Sequence, residues 1–261
     1  MPGSDTKDAF QAVEVLNPQG AGTVVLLCEH ASNHVPEIFK GLGLNGEAQI
    51  SHAAWDPGAR ALAQHLSKAL DAPLVASRIS RLVYDCNRPP DAPAAMTETS
   101  ETFDIPGNKN LSQAERDMRV ETVYRPFCDA VTDVISARKA AKRATVLVTI
   151  HSFTPVFFGK FRPVEIGILD DEDTRIADVM LDHASELPHR KVLRNEPYSA
   201  SDGVTHSLQI HGMAHGIPNV MLEVRNDLLR GPEDIRKMAD EVLLLLTPAL
   251  DAVAPEGAAR A

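Results

Sequence analysis

The sequence predicts an α/β fold, specifically a three-layer α/β/α sandwich with a mostly parallel, mixed sheet. Three stretches carry this prediction, Thr23–Cys28, Thr145–Ile150 and Pro218–Leu222, because each is a nearly continuous run of β-favouring apolar residues. Such runs are typical of central strands buried on both faces, whereas half-exposed strands alternate apolar and polar residues. Candidate helices separate the strands along the chain, as in sheets whose strands are parallel.

The elements of the first half follow from spacing and from turn residues. Leucines at four-residue intervals predict a helix from about Pro57 to Leu70. Two short strand candidates follow it, Pro73–Ser77 and Leu82–Tyr84. The segment Pro89–Asn110 contains four prolines and is expected to be a long irregular loop. Loops of this length in compact domains are often functional.

A long helix is predicted to precede the second central strand. Ser112 and Glu115 have the spacing of a capping box, which marks a helix start. The helix is expected to continue to about Lys142, with a kink at Pro126 because proline cannot donate an intrahelical hydrogen bond.

The remaining elements complete the alternation of strands and helices. Val164–Leu169 is predicted to be a strand and Thr174–Glu186 a helix. The last strand, Pro218–Val224, leads to a helix whose first turn begins at Pro232, a favoured position for proline. The tail Val253–Ala261 is expected to fray.

Composition limits the classes of protein to which the chain belongs. Its 261 residues, 44% hydrophobic and 24% charged, suit one globular domain, here residues 1–261 with a core at about 20–250. A net charge of −10 argues against a nucleic-acid surface. Three widely spaced cysteines predict neither a disulfide framework nor a zinc finger, and a cytoplasmic location is expected. No signal peptide or membrane span is recognisable. A homo-oligomer remains possible.

Ionisable residues follow the three central strands. His30, His151 and Glu223 stand where these strands end. Because ligands of open α/β sheets bind at the carboxyl ends of the strands, the three side chains are expected to share one site. Two imidazoles and a carboxylate predict a catalytic divalent metal ion, with Zn²⁺ expected from its preference for such ligands and Glu223 as general base. The alternative for Glu223 is a buried ion pair with Arg225.

Catalytic zinc usually has a third protein ligand. The candidates for this position are Asp56, Glu29, Asn33 and His34. Asp56 precedes a proline at the expected start of a helix, so an N-cap role is its alternative. His211 and His215 form a rival metal pair, but nearby glycines make a helix there doubtful, and loop or solvent-facing positions are expected for both histidines.

A cluster of arginines predicts recognition of a carboxylate. Arg78, Arg81 and Arg88 lie within eleven residues, and Asn87 precedes the last of them. A guanidinium presents a rigid fork that matches a carboxylate, and an amide adds a neutral donor beside it. The alternative is that these arginines are solvated surface charges, as most arginines are.

With these residues in hand, the chain resembles the N-formylglutamate amidohydrolase family from about Val24 to Leu229. Each matching word is weak alone, but five occur in order. The words are Glu29-His30-Ala31-Ser32 followed by Pro36, His52 to Asp56 with Gly58, Tyr84-Asp85-Cys86-Asn87-Arg88-Pro89, Ile150-His151-Ser152, and Leu222-Glu223-Val224-Arg225.

That family is similar to the zinc-dependent exopeptidases and aspartoacylases, and the resemblance implies roles for individual residues. His30 and His151 would hold zinc, Asn87 and Arg88 would grip the substrate carboxylate, and Glu223 would be the base. The chain departs from the relatives in two words. Asn33 stands where distant relatives have an acidic zinc ligand, and His30-Ala31-Ser32 replaces the usual His-Ser-Gly.

The sequence thus predicts a metal-dependent amidohydrolase acting on a small anionic N-acyl amino acid, with N-formyl-L-glutamate and water giving L-glutamate and formate. The resemblance also implies a place in histidine degradation. The predicted site consists of the catalytic residues Glu223 and Arg88, the metal ligands His30, His151 and Asp56, and the substrate-binding residues Asn87, Arg88, Arg81, Ser152 and Arg225. Lys160 and Arg162 are candidates for a second carboxylate. The alternatives are a metallocarboxypeptidase-like hydrolase of a peptide or cell-wall fragment and a non-catalytic carboxylate-binding protein.

Overall fold

The computed structural model describes residues 10–254. Seven strands form a central sheet, and two short hairpins lie outside it. In chain order the strands are β1 (Val13–Leu16), β2 (Val24–Cys28), β3 (Leu74–Ser77), β4 (Thr99–Ser100), β5 (Phe103–Asp104), β6 (Val146–Phe153), β7 (Val156–Phe157), β8 (Lys160–Phe161), β9 (Ile166–Leu169), β10 (Val192–Arg194) and β11 (Asn219–Arg225).

The sheet has the strand order β1-β3-β2-β6-β11-β9-β10. Its four central strands, β3, β2, β6 and β11, are mutually parallel. The edges run the other way, since β1 pairs antiparallel with β3, and β9 pairs antiparallel with β11. The three strands predicted from continuous apolar runs are β2, β6 and β11, and every residue in them is buried. The predicted mostly parallel, mixed sheet is therefore confirmed.

Helices cover both faces of the sheet, which confirms the sandwich. The helices are α1 (Gly46–Ile50), α2 (Ala59–Ala69), α3 (Gln113–Arg119), α4 (Arg125–Ala140), α5 (Arg175–Asp182) and α6 (Pro232–Val253). One core joins α2, α5 and α6 to the sheet, with Leu62 and Leu66 packed against the strand valines. The opposite core contains Phe127 and Val131 of α4. None of these helices, in the part of the chain that the structure describes, is long and apolar enough to cross a membrane.

The long helix before β6 is interrupted where the sequence predicts a kink. The capping box of Ser112 and Glu115 is present, and α3 begins directly after it. A π-helical turn, Val120–Tyr124, then joins α3 to α4 just before Pro126. The wider turn accommodates Pro126, which has no backbone N–H to donate to an intrahelical hydrogen bond.

Two short elements differ from the prediction. Leu82–Tyr84 is not a strand, because Ser80 folds the chain into a turn: its carbonyl accepts from the amide of Val83, and its hydroxyl accepts from that of Leu82. The half-buried edge strand β1 and the strand β10 are absent from the prediction. The expected irregular loop Pro89–Asn110 contains the β4–β5 hairpin. Helix α6 reaches Val253, and the rest of the expected frayed tail from residue 255 lies outside the described residues.

Candidate active site

The residues at the ends of the three central strands meet at one edge of the sheet. His30 lies two residues after the end of β2, and His151 lies near the carboxyl end of β6. Glu223 of β11 lies beside His151 in the parallel register of these two strands. The site is therefore assembled by the sheet itself.

Three buried ligand atoms converge between the two histidines. Nδ1 of His30 lies 3.2 Å from Nδ1 of His151, and Oδ2 of Asp56 lies 3.3 Å and 3.1 Å from the two nitrogens. Tetrahedral zinc with bonds of about 2.0–2.1 Å would hold its ligands about 3.3 Å apart. Among the described residues, this is the one cluster of three or more such groups that could hold a metal ion.

Asp56 reaches this cluster because two backbone contacts hold its loop. Its amide donates to the carbonyl of His30 at 2.9 Å, which ties it to the end of β2. The amide of Ser152 donates to Oδ2 of Asp56, and the Ser152 hydroxyl donates to the carbonyl of Pro57 at 2.8 Å. Helix α2 is capped by Gly58, whose positive φ of 85° suits glycine, so Asp56 is not the N-cap.

Each histidine has a carboxylate behind it. Nε2 of His30 lies 2.6 Å from Asp85, and Nε2 of His151 lies 3.3 Å from Glu29. The Asp85 contact keeps the proton on Nε2 of His30 and directs its Nδ1 lone pair into the site, the usual arrangement behind metal-binding histidines. Glu29 faces Nε2 of His151 in the same way, although that ring is not aligned for a linear hydrogen bond. Arg81 donates to Asp85 at 2.8 Å and lies 3.4 Å from Asp56.

The charges around this cluster favour a cation. Asp56, Asp85 and Glu29 are buried carboxylates, and Arg81 forms ion pairs with two of them, so three negative charges and one positive leave −2 when both imidazoles are neutral, the form that binds a metal ion. Burial lowers the pKa of His151, but Glu29 and Asp56 outweigh it and raise that pKa well above its usual value. A buried excess of negative charge is costly unless it is paired. One divalent cation would neutralise it.

Glu223 faces the cavity and is not the partner of Arg225. Its side chain lines the cavity and is buried, and its Oε2 has no hydrogen-bond partner. Burial raises the pKa of Glu223 to about 7. Arg225 instead donates to Asp227 at 2.8 Å and to the carbonyl of Arg162. The ion-pair alternative for Glu223 is therefore wrong.

A cavity of about 330 Å³ opens over this cluster. Arg88 lines it and donates only to the backbone carbonyls of Asn87 and Gly203, so no described carboxylate pairs with its guanidinium. Asn87 also lines the cavity, but its side chain is occupied: the side-chain NH₂ donates to the carbonyl of Val204, and the side-chain oxygen accepts from the backbone amide of Ser207. Arg88 is thus the free cation at the cavity wall, while Asn87 holds the neighbouring loop.

The other predicted residues are distributed as follows. Arg81 and Ser152 line the cavity, whereas Arg225 is not among its lining residues. Asn33 donates to the carbonyl of Gln49, and His34 is exposed. The exposed residues Arg78 and Lys160 and the exposed His215 lie outside the cavity lining. His211 is buried, contrary to the expectation of a loop or solvent-facing position, because the π-helical turn Leu208–Gly212 packs it inward.

The lining also includes residues outside the predicted site, among them His52, Phe157 and Tyr198. Phe157 and Tyr198 surround the guanidinium of Arg162, which lies 4.2 Å and 4.9 Å from their ring centres. No local pattern marks these residues, although His52 begins one of the words that carry the family resemblance. Their position at the cavity depends on contacts between segments that are distant in the sequence.

The family model for N-formylglutamate amidohydrolase matches residues 22–230. The chain belongs to this family. A gene product of Agrobacterium tumefaciens is 50% identical, with 95% of this chain and 98% of that chain covered and a TM-score of 0.92. N-formylglutamate amidohydrolase from Ralstonia eutropha shares the fold at 20% identity and a TM-score of 0.68, over 92% of this chain and 98% of that one. No curated protein matches significantly.

Membership in this family confirms the predicted resemblance and the prediction that the chain is an amidohydrolase, a hydrolase of an amide bond. The family match and the geometry of the cluster are independent observations. Both concern the same edge of the sheet, since the matched residues include all of β2, β6 and β11.

Proposed function

We propose that the protein is a metal-dependent amidohydrolase that converts N-formyl-L-glutamate and water into L-glutamate and formate. The observation that carries this proposal is the triangle of His30 Nδ1, His151 Nδ1 and Asp56 Oδ2, with sides of 3.1–3.3 Å, in a family member whose cavity also contains Glu223. The expected metal is Zn²⁺, because two imidazoles and one carboxylate form a common catalytic zinc set.

His30, His151 and Asp56 would hold the metal, which when bound polarises the amide carbonyl and lowers the pKa of water. Glu223 accepts the proton of the attacking water and transfers it to the leaving nitrogen. Its pKa of about 7 suits both steps, since a general base works best with a pKa near the operating pH.

Arg88 orients the substrate by binding its carboxylate. Its guanidinium lines the cavity and forms no ion pair with a described carboxylate, whereas Arg81 is already shared by Asp56 and Asp85. We therefore assign substrate anchoring to Arg88 and support of the metal cluster to Arg81, Asn87 and Ser152. Arg225 lies outside the cavity lining, so we assign it no substrate contact.

The small volume of the cavity favours an amino-acid substrate over a peptide. Its volume of about 330 Å³ lies at the lower end of the range for small-molecule sites, about 300–1,000 Å³. This supports the deformylase over the metallocarboxypeptidase alternative. We propose that the enzyme is cytoplasmic and acts in histidine degradation.

The test is a panel of N-acyl amino acids with the purified protein, before and after metal removal. Formate release from N-formyl-L-glutamate should exceed that from N-formyl-L-methionine, and it should stop after chelation and return with Zn²⁺. Hydrolysis that persists in fully metal-free protein would refute the metal assignment. Cleavage of peptides in preference to all N-formyl amino acids would refute the substrate assignment.

A further inference from the structure

Two hairpins outside the central sheet form one side of the cavity mouth. The first is β4–β5, Thr99–Asp104, which contributes Ser100 to the lining, and the second is β7–β8, Val156–Phe161, which contributes Phe157. They are separated by more than fifty residues of chain. Glu101 at the tip of the first hairpin makes a hydrogen bond to the second, and the His52 ring packs against Phe103 of the first hairpin and Phe157 of the second.

The Glu101 carboxylate has a separate contact for each oxygen. Oε1 accepts a hydrogen bond from the backbone amide of Phe158, at the tip of the second hairpin. Oε2 lies 2.9 Å from Nε2 of His52, a third segment of the cavity wall, although the ring is not aligned for a linear hydrogen bond. The Glu101 side chain is only 11% exposed, so these contacts are partly shielded from water.

Both residues of the hydrogen bond adopt strained backbone conformations. Glu101 has a φ of 51° and Phe158 a φ of 47°, in the left-handed region that non-glycine residues rarely adopt. Strain of this kind persists only where surrounding contacts compensate for it. The bond between Glu101 and the Phe158 amide is such a contact, so its loss would release both hairpin tips.

The second hairpin is anchored again next to the cavity. The Phe157 ring packs edge-on against His52, with ring centres 6.5 Å apart, and lies 4.2 Å from the guanidinium of Arg162. Arg162 in turn donates to the hydroxyl of Tyr198 at 2.9 Å. A shift of the Phe158 tip would therefore move Phe157, which forms part of the cavity wall.

We propose that Glu101 is a specificity-determining residue, which restricts the cavity to formyl and other short acyl groups by holding the β7–β8 hairpin against the β4–β5 hairpin. This inference rests on the proposed function. Glu101 acts on the shape of the wall and takes no part in the chemistry. Hydrophobic pockets discriminate by about 10–200-fold for each methylene group, so a small displacement of this wall is sufficient to alter substrate choice.

The test compares Glu101→Ala with the parent on N-formyl-, N-acetyl- and N-butyryl-L-glutamate. The ratio of kcat/KM for the butyryl to that for the formyl substrate should rise by about tenfold or more, mainly through KM for the butyryl substrate. Glu101→Gln keeps an acceptor for the Phe158 amide and should remain near the parent. Glu98→Ala is the matched control, because it removes an exposed carboxylate three residues away and keeps the backbone hydrogen bond from the Ile105 amide to the carbonyl of residue 98.

Hydrogen exchange of residues 156–161 gives a readout that is independent of catalysis. Glu101→Ala should accelerate exchange at the Phe158 amide, while Glu98→Ala should not. Unchanged exchange, or faster exchange with an unchanged ratio of kcat/KM, would overturn the inference. If the parent hydrolyses none of the three substrates, the proposed function fails instead, and calorimetric binding of the same N-acylglutamates to the parent and to Glu101→Ala then decides whether Glu101 sets acyl length.

Discussion

Replacing Glu223 by glutamine should abolish most turnover without weakening the fold. The substitution preserves size but removes the base, and general acid–base catalysis contributes about 10²–10⁴-fold. A loss of kcat in that range corresponds to about 2.7–5.4 kcal/mol of activation free energy at 1.36 kcal/mol per tenfold. Metal content should remain that of the parent, since Glu223 is not part of the ligand triangle.

Glu223→Gln should change the stability of the fold in the opposite direction to the loss of a structural ion pair, which would lower it. Burial raises the pKa of Glu223 from 4.5 to about 7, so in metal-free protein the folded state retains a proton that the unfolded state has lost. The stability of the parent therefore falls as the pH rises from 4.5 through 7. Glu223→Gln lacks this cost, which amounts to about 3 kcal/mol at 1.36 kcal/mol per pH unit, and it should be as stable as the parent or more stable at pH 7.

Glu241→Gln provides the matched control. Glu241 is also buried but lies on α6, where it accepts from Arg190 at 2.8 Å and contacts His189 at 2.9 Å. Its substitution should lower stability and leave kcat unchanged, the reverse of Glu223→Gln. Single-turnover rates, thermal melts and metal analysis on the same samples separate the two patterns. A Glu223→Gln protein that binds metal and still turns over at close to the parental rate would remove Glu223 from the mechanism.

Three further outcomes are expected. Glu29→Gln should weaken zinc binding by about 10–100-fold in a chelator competition, because Glu29 holds the proton on Nε2 of His151; unchanged affinity would leave Glu29 without this role. Arg88→Ala should raise KM for N-formyl-L-glutamate by about ten- to a hundredfold, because the charged hydrogen bond that it removes contributes about 1.5–3 kcal/mol. The melting temperature should change little. An equal rise in KM for the corresponding amide substrate would contradict carboxylate binding. Burial raises the pKa of Glu241, but Arg190 and His189 outweigh it and lower that pKa below 4.5. Denaturant titrations should therefore show the full stability difference between the parent and Glu241→Gln above pH 4.5, and this difference should vanish at lower pH.

The central sheet is predictable because its strands are buried on both faces. Runs as apolar as those of β2, β6 and β11 have few alternatives in an α/β chain, and their ends therefore identify His30, His151 and Glu223. Edge strands lack this signal. Strand β1 is half-buried, with a charged residue among its four, and it is stabilised mainly by pairing with β3, a contact that the local sequence does not reveal.

The cavity wall is less predictable because it depends on contacts between distant segments. Glu101 contacts His52 and the amide of Phe158, so three separate parts of the chain meet at this wall. A local pattern cannot indicate such a contact. The π-helical turn that buries His211 is a similar case, since nearby glycines argue against a regular helix but do not predict which turn replaces it.

The supporting carboxylates show why residues adjacent in sequence serve different ligands. Glu29 and His30 lie in the turn that follows β2, and their side chains approach His151 at different nitrogens, Glu29 at Nε2 and His30 at Nδ1. Glu29 therefore lies behind His151, on the neighbouring strand, and the carboxylate behind His30 comes from Asp85 in a separate loop. Because Glu29 lies at Nε2 of His151, it is not part of the cluster of candidate ligand atoms, and Asp56 reaches that cluster through its backbone bond to His30. Each histidine is thus oriented by a segment other than its own, which makes the ligand geometry a property of the assembled sheet.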